Sequence, residues 1–463
     1  MKIKSKKQFA GGMMSLTRIM VLAFAAALSF SSCSKDDDET TPEPTPTPDS
    51  GKPVVELAGS TGTDRMLDSD TIYLIKGYYY VTSPAVLTIE AGTVIKGDKA
   101  TKGALIITRG AKIIADANAS NPIVFTSNQP AGSRSYGDWA GVIVCGKAPV
   151  NQGLDVAYEG GAVPGATYGG TDAADNSGII RFVRIEFAGI AINTNQEVNG
   201  LTLGGVGSGT IIENVQVSYS GDDSFEMFGG TVNLKNIIAF RGWDDDFDTD
   251  FGYSGQIQFA VALRDPNNAD QSGSNGFESD NDATGTTAAP YTSARISNVS
   301  IFGPLATAST VINSNYKRGA HLRRNTNQSI YNSVIAGYPT AGLVLDGALV
   351  EANAVANTLQ FRNNVISGCT TPYSIVSGTG ALDIASWFSS NGNTTYTDNT
   401  SLDVNDGFNL TAPNFLPKGT SPLLSGADFT GLGGFDVVSY RGAFGSTDWT
   451  AGWANYNPQQ ASY

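Results

Sequence analysis

The feature that most restricts how this chain can fold is a spacing. Phe225 in GDDSFEMFGG and Phe247 in WDDDFDTDFG lie 22 residues apart, and so do Asn214 in IIENVQVSY and Asn236 in NLKNIIAF. Short alternating stretches that return with a period in the low twenties mark a solenoid, in which each repeat packs only on its neighbours. The x-Asn-apolar signature recurs at Asn298, Asn332 and Asn363–Asn364. Longer intervals, such as Asn236 to Asn298, predict skipped coils and inserted loops. One Asn per coil predicts an internal amide ladder at a turn, satisfying buried backbone groups.

A second strand per coil aligns as well. Phe225, Phe247, Phe277, Leu322 and Leu343 fall in one register, and alternation turns them inward. Their successors then form an outward row of Thr202, Glu226, Asp248, Glu278, Arg323 and Val344. Nearer the N-terminus, Leu87–Ile95 aligns with Leu105–Ile113 at an offset of 18, with Gly92 over Gly110. Glycine is abundant, at 54 residues, and only 16% of residues are charged, which suits an all-β chain with many turns. The expected architecture is an all-β parallel β-helix over residues 54–430. Residues 431–463 are aromatic-rich and are expected to cap the open end, with Trp449 and Trp453 as cap residues. An uncapped solenoid end exposes core and unpaired strand edges.

Charge narrows the function. Between Asp222 and Asp282 stand 13 acids and three bases. Two carboxylates one coil apart repel by roughly 3–4 kcal/mol at an effective dielectric near 20. A cation between them, a proton on one, or splaying into water relieves this. Hard oxygen donors without Cys or several His point to calcium. The candidate ligands are Asp223, Glu226, Asp246, Asp248, Asp250, Glu278 and Asp280. A solvated acidic face, a structural ion and a substrate-bridging site all remain open. The single histidine, His321, leaves almost no room for Ser-His-Asp catalysis or a multi-His zinc site. It is read as structural or exposed. The net charge of −14 repels nucleic acid, so no nucleic-acid partner is expected. Cys145, inside Val142–Val144, reads as a small buried apolar residue.

The N-terminus reads as an export signal over residues 1–32. Five basic residues precede an apolar run, Ile19 to Phe30, which is too short to span a bilayer comfortably. Phe30-Ser31-Ser32-Cys33 resembles a bacterial lipobox, which implies lipidation of Cys33. The acidic run behind it resembles the export tag of Bacteroidetes surface lipoproteins. Residues 33–53 combine that tag with a Pro/Thr tether, which favours extended backbone. The implied location is the cell outer membrane, lipid-anchored and surface-exposed.

The x-Asn-apolar coils, with GDDSFEMFGG, WDDDFDTDFG and TIEAGTVIKG, resemble the pectate lyase-like right-handed parallel β-helix superfamily. Calcium-dependent polyuronate lyases of that fold hold calcium with clustered aspartates, which Asp223, Asp246 and Asp248 would match. A Lys or Arg abstracts the C5 proton, and Lys317, Arg323 or Arg324 would be the candidates. None of these stands in a fixed motif with the acids. The preferred expectation is therefore a surface lipoprotein that is not an enzyme. It presents a calcium-stabilised β-helix for binding polysaccharide or another extracellular ligand. The alternative is a calcium-dependent polysaccharide lyase or related glycan-degrading enzyme. A third reading is an accessory or adhesion protein that docks on an outer-membrane protein partner.

Overall fold

The computed structural model describes residues 51–463 apart from 194 and 195. Cys33, the acidic run and the tether as far as residue 50 lie outside the described residues. Twenty-six strands join in one sheet, and their pairings are parallel throughout. The sheet winds into a right-handed parallel β-helix, the hand that parallel crossovers take. Each coil lays strand on three faces. The first two faces share eight-residue strands such as Ile211–Ser218, Asn233–Phe240 and Arg295–Phe302. The third is built from short strands: Leu201–Gly204, Phe225–Phe228, Phe247–Asp250, Phe277–Ser279, Arg318–Leu322 and Ala341–Asp346.

The recurring asparagine explains how one strand serves two faces. Asn214, Asn236, Asn298, Asn332 and Asn363 all have left-handed backbone, with φ of 53, 55, 55, 51 and 56°. Asn enters this region at less cost than other side chains, so it bends the strand mid-way. Phe182 and Phe259 bend their strands likewise, at 52 and 58°. The internal ladder expected of these asparagines is seen at Asn364, the second Asn of its pair, and at Asn393 outside the signature. Asn364 Oδ1 accepts from Ser333 N at 2.9 Å, and Asn393 Oδ1 accepts from Asn364 N at 2.8 Å.

The interior is filled as the pattern predicts. Phe225, Phe247 and Phe277 stack with ring centroids 5.7 and 5.5 Å apart, and all three are fully buried. Cys145 is fully buried as well, and both Cys145 and Cys369 are free thiols. The 18-residue offset near the N-terminus is corrected. Leu87 pairs with Ile113, whereas Leu105 pairs with Tyr79 and Val142 on another face. Gly92 and Gly110 take similar left-handed turns, at φ 84 and 89°, and that shared turn chemistry made the two stretches look like one register.

The C-terminal segment is also corrected. Residues 431–463 lie along the flank of the solenoid and not over its end. The second face turns Ile238, Phe240, Val261, Leu263 and Phe302 outward, and Phe415, Phe444 and Trp453 cover them. Three amides clamp the segment and the residues just before it through paired bonds to the backbone. Asn332 holds Asp428, Gln258 holds Asp436, and Gln216 holds Asn455. The terminal Tyr463 hydroxyl reaches buried Glu186 at 2.7 Å. Near the last coils, Phe388 of the helix Ile384–Ser390 packs on Phe361 and Tyr373.

Candidate functional site

The outward row of the third face is set by strand register. Thr202 pairs with Glu226, Glu226 with Asp248, Asp248 with Glu278, Glu278 with His321, and His321 with Val344. His321 therefore occupies the place expected for Arg323. The inward residue beneath Phe277 is Ala320, not Leu322. A small residue at that core position conceals the register, because the next large apolar residue lies two positions on.

Two groups of carboxylates meet here. Oxygens of Asp222, Asp223 and Asp244 lie within 4.8 Å of one another, and so do oxygens of Asp223, Glu226 and Asp248. Asp223 belongs to both and is only 7% exposed. Its Oδ1 also accepts from Asp245 N at 2.8 Å. Asp245 in turn accepts from the backbone N–H of Asn275, and Asn275 Oδ1 accepts from Arg318 N at 3.2 Å. This ladder runs along the axis and fixes the coils that carry the site. Burial, then neighbouring Asp222, Asp245, Asp248 and Glu226, hold the Asp223 carboxyl well above the usual range. Burial, then Asp245, pushes Asp244 up to about 7. Asp248 is raised by burial and then by Glu278 and Asp280, and its Oδ1 is buried without a hydrogen-bond partner. An all-oxygen donor set with crowded charge fits a hard cation, which would draw the remaining ligands from water or substrate.

Of the expected ligands, Asp223, Glu226 and Asp248 come together, and four do not join either group. Asp246 is fully buried and pairs with Arg264 at 2.8 Å, and that guanidinium also donates to the main-chain oxygen of Asp244. Alternation turns Asp250 outward two residues beyond Asp248, where its Oδ1 accepts from Phe251 N at 2.6 Å. Glu278 pairs with Arg323 and His321, the latter at 3.3 Å. Asp280 is held by Arg323 at 2.8 Å and Arg324 at 2.6 Å. Sequence reasoning missed Asp222 and Asp244 as ligands. The signal was present: the offset of 22 that stacks Phe225 on Phe247 also stacks Asp222 on Asp244. It missed Asn199 too, whose amide donates to Glu226 Oε2.

The three candidate bases are engaged. Arg323 is raised further above its ordinary value, with Glu278 the leading charge against burial, so it holds its proton. Arg324 is tied to Asp280. Lys317 donates to Ser314 O at 2.9 Å, and its stem lies over Gly273. His321 is buried between Glu278 and Asp346, its Nε2 3.0 Å from Asp346 Oδ2. Burial and then Arg318 lower it to about 4, so it is neutral near pH 7. It serves as a bridge inside the row, in keeping with the structural role expected of it.

Beside the first carboxylate group opens a cavity of about 690 Å³. Tyr136 and Trp243 form its aromatic wall, with ring centroids 5.6 Å apart and planes at 68°. Glu197, Asp222, Asp244 and Asp270 supply its charge.

The pectate-lyase-like β-helix domain matches residues 59–454, and the chain belongs to that family. The match runs through most of the flanking C-terminal segment. No curated protein and no solved structure matches.

Proposed function

We propose that this chain is a lipid-anchored protein of the outer membrane surface. Its third face binds an extracellular glycan beside a calcium ion held by Asp222, Asp223, Glu226, Asp244 and Asp248. The observation that carries the reading is the pair of carboxylate groups sharing buried Asp223, next to an aromatic-walled cavity. The anchor rests on the lipobox-like Phe30–Cys33 and the acidic run behind it. Calcium would neutralise the crowded carboxylates, order the coils that bear them, and offer coordination positions to sugar hydroxyls. Binding is preferred over polyuronate cleavage because Arg323 and Arg324 are ion-paired and Lys317 is bonded to a carbonyl.

Thermal unfolding across a calcium titration tests the ion. Saturation at 100 times Kd is expected to stabilise by about 2.7 kcal/mol, and no change at millimolar calcium removes the metal. Ultraviolet absorbance of unsaturated products from pectate, alginate and glycosaminoglycans, with calcium present, tests the enzyme. No product is expected, and a product from any of them replaces binding with lyase activity. Labelling of lipidated Cys33 in cells tests the anchor, which fails if the label stays on Cys33→Ala.

A further inference from the structure

The cavity beside the carboxylates has a chemistry that the calcium reading leaves unused. Asp222 and Asp244 belong to the ion site, but Glu197 and Asp270 do not. Among the described residues neither makes an ion pair, and no Lys or Arg lines the cavity. Glu197 is raised by burial first and then by the Asp270 charge. A dication in the carboxylate site leaves this second pair uncompensated.

Hydrogen bonds and closely stacked turns hold much of the cavity wall. From Phe247 to Phe277 is 30 residues, against 22 for the coil before, and the extra length brings Asp270, Gln271 and Ser272 to the wall. Asp270 Oδ2 accepts from Ser272 N at 2.6 Å, and Ser272 Oγ donates to Asp244 Oδ2 at 2.7 Å. Gly137, Gly189 and Gly221 make the floor. A Cβ on Gly189 would meet the backbone N of Gly221 at 2.2 Å, so bare backbone is what lets these turns stack. Trp243 is fixed by its main chain, with its N donating to Ser220 O at 2.9 Å and its O accepting from Ser274 Oγ at 2.8 Å. Its side chain nevertheless leaves the residue 39% exposed. Tyr136 is anchored where its hydroxyl accepts from Asn268 Nδ2 at 2.9 Å.

An exposed, pre-positioned indole offers a flat apolar surface, and sugar rings present a C–H face that packs on one. Carboxylates without a counter-cation beside aromatic rings favour a positive group, which gains from both charge and ring quadrupole. We propose that this cavity takes an amino-sugar unit with a free, protonated amine. The sugar ring lies on Trp243 and the ammonium sits between Glu197 and Asp270. This rests on the glycan-binding reading and narrows it, since a uronate would bring a negative charge to the same wall.

Titration calorimetry of the intact folded chain in millimolar calcium decides it, with three sugar probes of equal length, a glucosamine oligomer, its N-acetylated form and an oligogalacturonate, and a lysine oligomer as control. The glucosamine oligomer is expected to bind at least tenfold tighter than the N-acetylated one. Trp243→Ala is expected to lower its affinity at least tenfold, and Trp243→Phe to restore part of it. Asp270→Asn is expected to narrow the gap between amine and acetamide. Melting curves of these surface variants report whether they fold. Equal binding of the amine and acetamide forms overturns the charge claim and leaves glycan binding standing. Binding of oligogalacturonate alone overturns this inference only, and binding of none of the three overturns both. A lysine oligomer that binds as well as the glucosamine oligomer overturns the sugar claim. The calcium-dependent melting shift reads the ion site separately.

Discussion

Two stretches of the third face share a backbone and differ in how their charge is settled. In the coils of Glu278 to Asp346, each acid meets a partner supplied by the chain. Arg323 pairs with Glu278 and Asp280, Arg324 with Asp280, and His321 bridges Glu278 and Asp346. In the coils of Asp222 to Asp248, carboxylates face carboxylates. The nearby buried base, Arg264, is spent on Asp246 and on the main-chain oxygens of Trp243 and Asp244. Parallel register stacks like on like, so a solenoid that repeats an acid must import its counter-charge. It can bring a base from the next loop or take an ion from solution.

Breaking a self-neutralised pair should cost most. Arg264→Met leaves Asp246 fully buried without its counter-charge and hydrogen-bond partner, and a loss of about 3–5 kcal/mol is expected in denaturant unfolding. Adding Asp246→Leu should recover much of it, and a double variant as unstable as the single one would mean the pair is not what holds this turn. Next is Asp223→Asn, which removes the carboxylate common to both groups. The calcium-dependent gain of about 2.7 kcal/mol should vanish, while the metal-free protein keeps or gains stability because a repelling charge is gone.

Arg323→Gln moves the contrast itself. It strips Glu278 and Asp280 of a partner, so the metal-free protein should lose on the order of 1–3 kcal/mol and respond more strongly to calcium. An unchanged response would show that the two stretches are electrostatically separate.

The pH dependence is smaller and has a definite sign. Asp244 and Glu278 are both pushed up to about 7 by burial, whereas unfolded carboxylates titrate near 4. Between those values the native state binds more protons, so metal-free stability falls as pH rises from about 5 to 7 and levels off above. Buried His321, lowered to about 4, opposes this in the same range by a single group. The metal-free protein should therefore melt higher at pH 5.5 than at pH 8, by on the order of 1–2 kcal/mol. Calcium at pH 8 should reverse the order, and curves that superimpose without metal would show that the acids are not crowded. The smallest effect is expected of Lys317→Ala, within about 0.5 kcal/mol and with no change in glycan binding.

Much of this was legible because a solenoid repeats its own evidence. The interval of 22 residues and the alternation around Phe225 and Phe247 settled which side chains face in. The same interval put Asp223, Glu226 and Asp248 among seven candidate ligands, and the structure reduced them to these three. The interval went no further where a coil changed length. Past Phe277 the inward place is Ala320, so the pattern offered Leu322 and put Arg323 where His321 stands. The flanking segment was misjudged for a related reason. Trp449 and Trp453 announce burial, but the segment's partners lie on coils far away in sequence, as Phe182 does for Trp453 and Phe240 for Tyr456. Apolar content alone does not say which of two exposed surfaces, end or flank, a segment will cover.

The sequence by itself determined the parallel β-helix, its inward stack and the crowding of its acids. Period and alternation are local, and successive coils inherit them. Only the tertiary structure decided which acids are neutralised and which face one another. That depends on where loops of unequal length return, as Arg264 does to Asp246 and Arg323 to Glu278. It also decided that an inserted loop would close one wall of a cavity over Trp243, because the path of an insertion is set by what it packs against and not by the repeat it interrupts.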